Sequence, residues 1–159
     1  MEMKDSVQDC MDFFKKGFPQ SGPKNFRTQL GIFLEEIAET LQQVEPSNPQ
    51  EVMLIDYLGK SIEQAGEHLK NTDGVIGIKD RVEFLDGICD VMVTAVGLGR
   101  HSNMDVPGAF KEVNRSNNSK FAENGEPILD KNLKLIKGPL YTKPELKSFV
   151  SMIILQGFL

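Results

Sequence analysis

Apolar residues recur at helical spacing along most of the chain. Val7, Cys10, Met11, Phe13 and Phe14 fall within residues 5–16, and Gly17 offers a stop, so the spacing predicts a first helix there. Two prolines and a glycine in residues 18–24 mark a connector. Phe26, Leu30, Phe33, Ile37, Leu41 and Val44 then form one stripe, which predicts a second helix from a cap at Asn25 to about Val44, ahead of Pro46. Ser47-Asn48-Pro49 is a start signal, because a proline in the first turn gives up an N–H that would have no partner. The third helix reaches about Asn71, with Ile55, Leu58, Ile62, Ala65 and Leu69 on one face. Residues 72–79 are glycine-rich and read as a plain connection, since their spacing matches no P-loop. Asp80 begins a fourth helix that is apolar nearly all round from Val91 to Leu98 and stops at Gly97 to Gly99. Such a helix is expected at the centre of a fold. Asp105-Val106-Pro107 starts a fifth, to about Asn117. Beyond it, Asn124-Gly125 and Lys131-Asn132 interrupt short apolar runs and predict two short strands or an irregular flap. The segment from Phe149 to Leu159 is so apolar that it is expected to dock on the domain or on a partner subunit. The expected fold class is therefore all-α, a bundle of about five helices with a short C-terminal hairpin or irregular flap, and no second domain is indicated.

Two of these helices carry acids where an apolar helix should not want them. Glu36 and Glu39 lie about 60° apart around the second helix, to one side of its apolar stripe, with Ile32 between their directions. Glu35 points away from the stripe and is left out of the site. On the fourth helix Asp86 and Asp90 are one turn apart, and Glu83 lies a turn earlier on the same side. Packed side by side, the two helices would converge four or five carboxylates on one volume. Like charges that close repel, and desolvation adds to the cost, so such a cluster calls for cations. Oxygen ligands at this density suit Mg²⁺ or Mn²⁺.

Composition narrows the choice of partners. The chain has 159 residues, 40% of them hydrophobic and 26% charged, enough for one domain with its own core. A net charge of −5 argues against a general nucleic-acid or membrane-surface binder, which would carry excess Lys and Arg. No stretch is long and apolar enough for a membrane span, and the start Met-Glu-Met-Lys-Asp lacks the pattern of a signal peptide, so a cytoplasmic setting is expected. Cys89, inside an apolar run, reads as a small buried hydrophobe, not half of a disulfide. Histidines 68 and 101 do not follow a glutamate at the spacing of a di-iron bundle, zinc hydrolase chemistry lacks its ligands, and no G-x-S-x-G run supports a serine nucleophile.

The run Glu35 to Glu39, the acidic helix ending at Asp90, and Glu112-Val113-Asn114-Arg115-Ser116-Asn117-Asn118-Ser119-Lys120-Phe121 together resemble the all-α nucleoside triphosphate pyrophosphohydrolases. This MazG-like superfamily also holds the dimeric dUTPases and phosphoribosyl-ATP pyrophosphohydrolase. The resemblance spans residues 26 to 146 and is closest to the short single-domain form of bacteria and phages, with an N-G hairpin and a K-G-P-x-Y segment, here Lys137 to Tyr141. It implies one domain over residues 1–159, with a core at about 26–120 and an extension over 121–159. It further implies a homodimer or homotetramer that uses Mg²⁺ to hydrolyse a nucleotide substrate to monophosphate and pyrophosphate.

By position, Glu36 and Glu39 match the first metal-binding pair, and Asp90 matches the aspartate of the second. The glutamate expected three residues before Asp90 is Gly87, so Asp86 or Glu83 would have to replace it. Asn114, Arg115, Asn117, Lys120 and Tyr141, with Lys137, are the expected substrate-binding groups, and Phe26 or Phe33 could stack a base. Two alternatives stay open. The same fold could act on a phosphoribosyl nucleotide or an alarmone, or it could be a non-catalytic interaction module whose acidic site is degenerate at Gly87.

Overall fold

A computed structural model describes residues 5–150, and the apolar segment expected to dock, apart from Phe149 and Val150, lies outside them. Five α-helices follow in order: α1 Ser6–Gly17, α2 Pro23–Leu41, α3 Pro49–Asn71, α4 Arg81–His101 and α5 Val106–Asn118, then a single 3-10 turn at Lys147–Phe149. Among the described residues there is no strand, only isolated bridges between Leu129 and Leu135 and between Met104 and Val150. The architecture is the all-α one that the apolar spacing predicts. No helix of the described residues is long and apolar enough to cross a membrane.

Side chains set most of the helix starts. Asp5, Asn48, Asp80 and Asp105 each accept from backbone N–H groups of the first turn, as with Asn48 Oδ1 and Glu51 N at 3.0 Å. Each satisfies a donor that the helix itself leaves unpaired. Asn25 does not cap α2 from outside as expected. It lies within the first turn, and its Oδ1 accepts from Gly22 N at 2.9 Å. The helix begins at Pro23, whose fixed φ suits a first position. Its end comes at Leu41, before Val44, and α4 passes through Gly97 and Gly99 to His101.

The chain falls into two compact units. One holds α2, α3 and the loop Leu129–Ile136; the other holds α1, α4, α5, the stretch to Ile128 and the segment from Lys137 to Val150.

In the α2–α3 unit the helices meet at glycines. A Cβ at Gly31 would lie 2.7 Å from the Gly66 carbonyl oxygen, and one at Gly66 would lie 2.8 Å from that of Gly31. Only glycine allows backbones this close. Arg27, Thr28 and Ala38 are buried with Gly31, and Glu35 on the same side bonds Lys70 of α3 at 2.5 Å. So α2 packs by a face turned away from its apolar stripe, of which Phe33 stays exposed. Arg27, only 8% exposed, donates to the carbonyls of Leu69 and Thr72 and to Thr72 Oγ1, so the α3 C-terminus gains a charged partner. The loop closes over this pair through Thr28 Oγ1, which donates to the Asn132 carbonyl at 2.7 Å.

In the other unit α1 packs on α5, and both α4 and the 3-10 turn touch α5. The Phe13 and Phe121 rings meet edge to face at 5.6 Å, with Lys16 Nζ 4.0 Å from the Phe121 centroid. Asn114 Nδ2 donates to the Ser6 carbonyl at 2.8 Å, tying α5 to the start of α1. The expectation of a central α4 is corrected here: none of its residues is buried. Leu85 is 61% exposed and Val93 69%. Cys89 is exposed as well, not the buried hydrophobe expected.

The stretch after α5 is irregular, as one of its two predicted forms has it. Gly125 takes φ +80°, and its N–H donates to the Ala122 carbonyl at 2.8 Å, closing the Asn124-Gly125 turn. Around Lys131-Asn132, Asp130 Oδ1 accepts from the N–H groups of Asn132 and Lys134.

Candidate functional site

The three acids in the stretch Glu35 to Glu39 of α2 fall into two kinds. Glu35 bonds Lys70 and also lies 3.3 Å from Lys134 Nζ. The hydrogen bond from Lys70 holds its carboxyl below the usual range against the opposing effect of burial, and the charge of Lys134 adds to the lowering. Glu36 and Glu39 are exposed and enter no ion pair among the described residues. The helical path that turns Glu35 toward α3 turns its neighbour away.

On α4, Glu83, Asp86 and Asp90 are likewise exposed and outside every such ion pair. The helix is regular through them: Thr94 Oγ1 donates to the Asp90 carbonyl at 2.9 Å, and Glu83 N donates to the Asp80 cap at 3.1 Å. At Gly87 an added Cβ would meet nothing within 4 Å. Packing therefore does not require glycine there, and a glutamate would have had room. Among the described residues no three His, Cys, Asp or Glu side chains gather closely enough to hold a metal ion. Each helix brings its own acids together along one face.

The α5 groups meet different fates. Asn114 is 2% exposed, and its amide is engaged by Ser6. Arg115 Nε and Nη2 donate to the two oxygens of Glu112 at 2.7 Å each, Nη1 to Thr142 Oγ1 at 2.5 Å, and Nη2 also to the Lys143 carbonyl at 3.2 Å. Asn117, Lys120 and Tyr141 are half-buried, and Lys137 Nζ lies 4.8 Å from the Tyr141 ring centroid. The Lys120 carbonyl accepts from Gly138 N at 3.0 Å, which brings the K-G-P-x-Y segment against the end of α5. Phe26 is half-buried and Phe33 exposed, both on α2.

Sequence reasoning passed over Glu112 and the partners of Glu35. The Glu112–Arg115 spacing of three residues was a readable signal on a helix. The Glu35–Lys70 pair spans 35 positions and left no local trace. Burial, and then the charge of Asp9, pushes the Cys10 thiol up, which disfavours the thiolate.

Glu112 gives the clearest dependence on pH. The hydrogen bonds from Arg115, then the Glu145 N–H, lower its carboxyl to about 2. A carboxyl depressed on folding stabilises fully above its unfolded value, near 4.5, and that stabilisation is lost as pH falls toward about 2. In an NMR titration the Glu112 carboxyl should therefore change near pH 2, and Arg115→Ala should return the midpoint toward 4.5. An ordinary midpoint in the parent protein would rule the pair out in solution.

No family model matches the sequence, and no curated protein or solved structure matches the chain.

Proposed function

We propose that the protein is a Mg²⁺-dependent nucleoside triphosphate pyrophosphohydrolase that converts its substrate to a monophosphate and pyrophosphate. The observation that carries this reading is the division of acids on α2. Glu35 is neutralised by two lysines, while among the described residues Glu36 and Glu39 stand exposed and outside every ion pair, as Glu83, Asp86 and Asp90 do along α4. Carboxylates crowded on one face without an internal counter-ion gain from a hard divalent ion. The donor set fits. Mg²⁺ is commonly held by one or two carboxylates, with phosphate and water oxygens completing its shell. Glu36 with Glu39, and Asp90 with Asp86 in place of the acid missing at Gly87, supply that number on each helix, with Glu83 beside them.

When bound, Mg²⁺ or Mn²⁺ neutralises triphosphate oxygens and lowers the pKa of a bound water. The chain's own part is to hold and orient. Glu36, Glu39 and Asp90 are the proposed catalytic carboxylates, and one not engaged as a ligand takes the proton of the attacking water. Asn117 and Lys120 at the end of α5, with Tyr141 and Lys137 of the segment lying on it, would bind the nucleotide.

The enzyme works in the cytoplasm as a homodimer or homotetramer. Support for assembly comes from α4, a helix of 21 residues with none buried and with Val82, Leu85, Val93 and Leu98 all more than 60% exposed. Apolar surface of that extent marks an association face. Gly87 favours one competing reading, a non-catalytic interaction module, because packing does not explain the missing acid.

The test is pyrophosphate release from a panel of ribo- and deoxynucleoside triphosphates with Mg²⁺, Mn²⁺ or EDTA, resolving mono- from diphosphate. Metal-dependent monophosphate with pyrophosphate is the expected result. Silence across the panel, extended to phosphoribosyl nucleotides and alarmones, would leave the interaction module.

A further inference from the structure

An exposed Glu–Arg pair three residues apart on a helix ordinarily contributes little, because solvent screens it and both side chains lose freedom. Glu112 and Arg115 differ in what else they hold. Arg115 reaches Thr142 Oγ1 and the Lys143 carbonyl, 27 and 28 positions on, and Glu112 Oε1 accepts from Glu145 N at 2.9 Å, 33 positions on. Beside them Thr142 N donates to Ser119 Oγ at 2.8 Å, and Gly138 N donates to the Lys120 carbonyl. Residues 138–145 thus form a strap fastened along the C-terminal half of α5. Of the five N–H donors of a guanidinium, the two toward Glu112 and the two toward the strap leave one. A phosphate seeking the Arg115 fork would have to displace a bidentate carboxylate that is only 18% exposed and that would itself repel the phosphate.

We infer that Glu112 and Arg115 are a clasp that fastens the Gly138–Glu145 strap to α5, so that Arg115 positions the substrate groups Tyr141 and Lys120 and is not itself a phosphate ligand. Where it speaks of substrate, this inference rests on the proposed function. The clasp itself rests on the contacts alone.

Hydrogen exchange and steady-state kinetics on Glu112→Ala, Arg115→Ala and the double variant separate the two. The Thr142 amide bonds Ser119, which none of these changes touches, so its exchange reports the strap. It should speed up by about tenfold or more in each single variant, as expected when a segment opens locally. Glu112→Gln, which keeps an acceptor for Glu145 N but loses the charge, should show a smaller increase. For the preferred triphosphate, KM should rise about tenfold in each single variant with kcat within about twofold, and the double variant should be no worse than either. A KM that rises in Arg115→Ala but is unchanged or lower in Glu112→Ala would overturn the inference and make the guanidinium a direct ligand. Should no nucleotide be turned over, the proposed function fails and the Thr142 amide decides alone: faster exchange supports the clasp, and unchanged exchange overturns it.

Discussion

Replacing Glu36 by alanine should abolish pyrophosphate release, with a loss of about 10³-fold or more, equivalent to about 4 kcal/mol of transition-state stabilisation. The same change should leave the fold intact or slightly more stable. Glu36 is exposed, enters no ion pair among the described residues, and has Glu39 one turn away, so its removal breaks no such pair and relieves repulsion. Loss of activity without loss of stability is the signature of a functional carboxylate. Asp90→Ala should behave alike. Glu35→Ala offers the contrast: it strands Lys70 and Lys134, so stability is the quantity that should fall. Assays of turnover and of urea unfolding on the three variants check this together, and undiminished turnover in Glu36→Ala or Asp90→Ala would remove the metal-site reading. Comparing Asp86→Ala with Glu83→Ala then shows which acid stands in for the one absent at Gly87.

The largest effect on stability is expected at the glycine crossing. Gly31→Val should destabilise the protein by about 3 kcal/mol, the upper part of the usual range for overpacking. The inserted Cβ meets the Gly66 carbonyl oxygen and Lys70 Cγ, both at 2.7 Å. A flexible lysine can move aside, but a helix backbone cannot without parting the pair. Helix propensity offsets little, because valine gains only a few tenths of a kcal/mol over glycine. Gly59→Ala on the same α3 serves as the control, since its new methyl would have no neighbour within 4 Å, and it should be neutral or stabilising. A midpoint in chemical denaturation that is equal for Gly31→Val and Gly59→Ala would mean that the helices do not cross this closely.

Much of the architecture was legible because helix ends are local chemistry. Asn48 with Pro49, and Asp80 and Asp105 before their first turns, bond donors two or three residues away, so sequence alone placed those starts. The exposed acids were legible for a related reason, since spacing on one helix fixes which carboxylates share a face. Choice of packing face was not. Apolar spacing shows where hydrocarbon lies around a helix but not what covers it, and α2 meets α3 through Gly31, Ala38 and Glu35 because small residues allow the closer approach. For the same reason a nearly all-apolar helix read as central, yet α4 buries none of its residues in this chain. The fates of Asn114 and Arg115 depend on Ser6 and on Thr142 and Lys143, groups that lie up to 108 positions away. The sequence by itself determined how many helices there are, where most of them begin and which acids share a face; only the tertiary structure decided which faces pack and which charged groups are already engaged, because those depend on contacts between distant residues that no local spacing encodes.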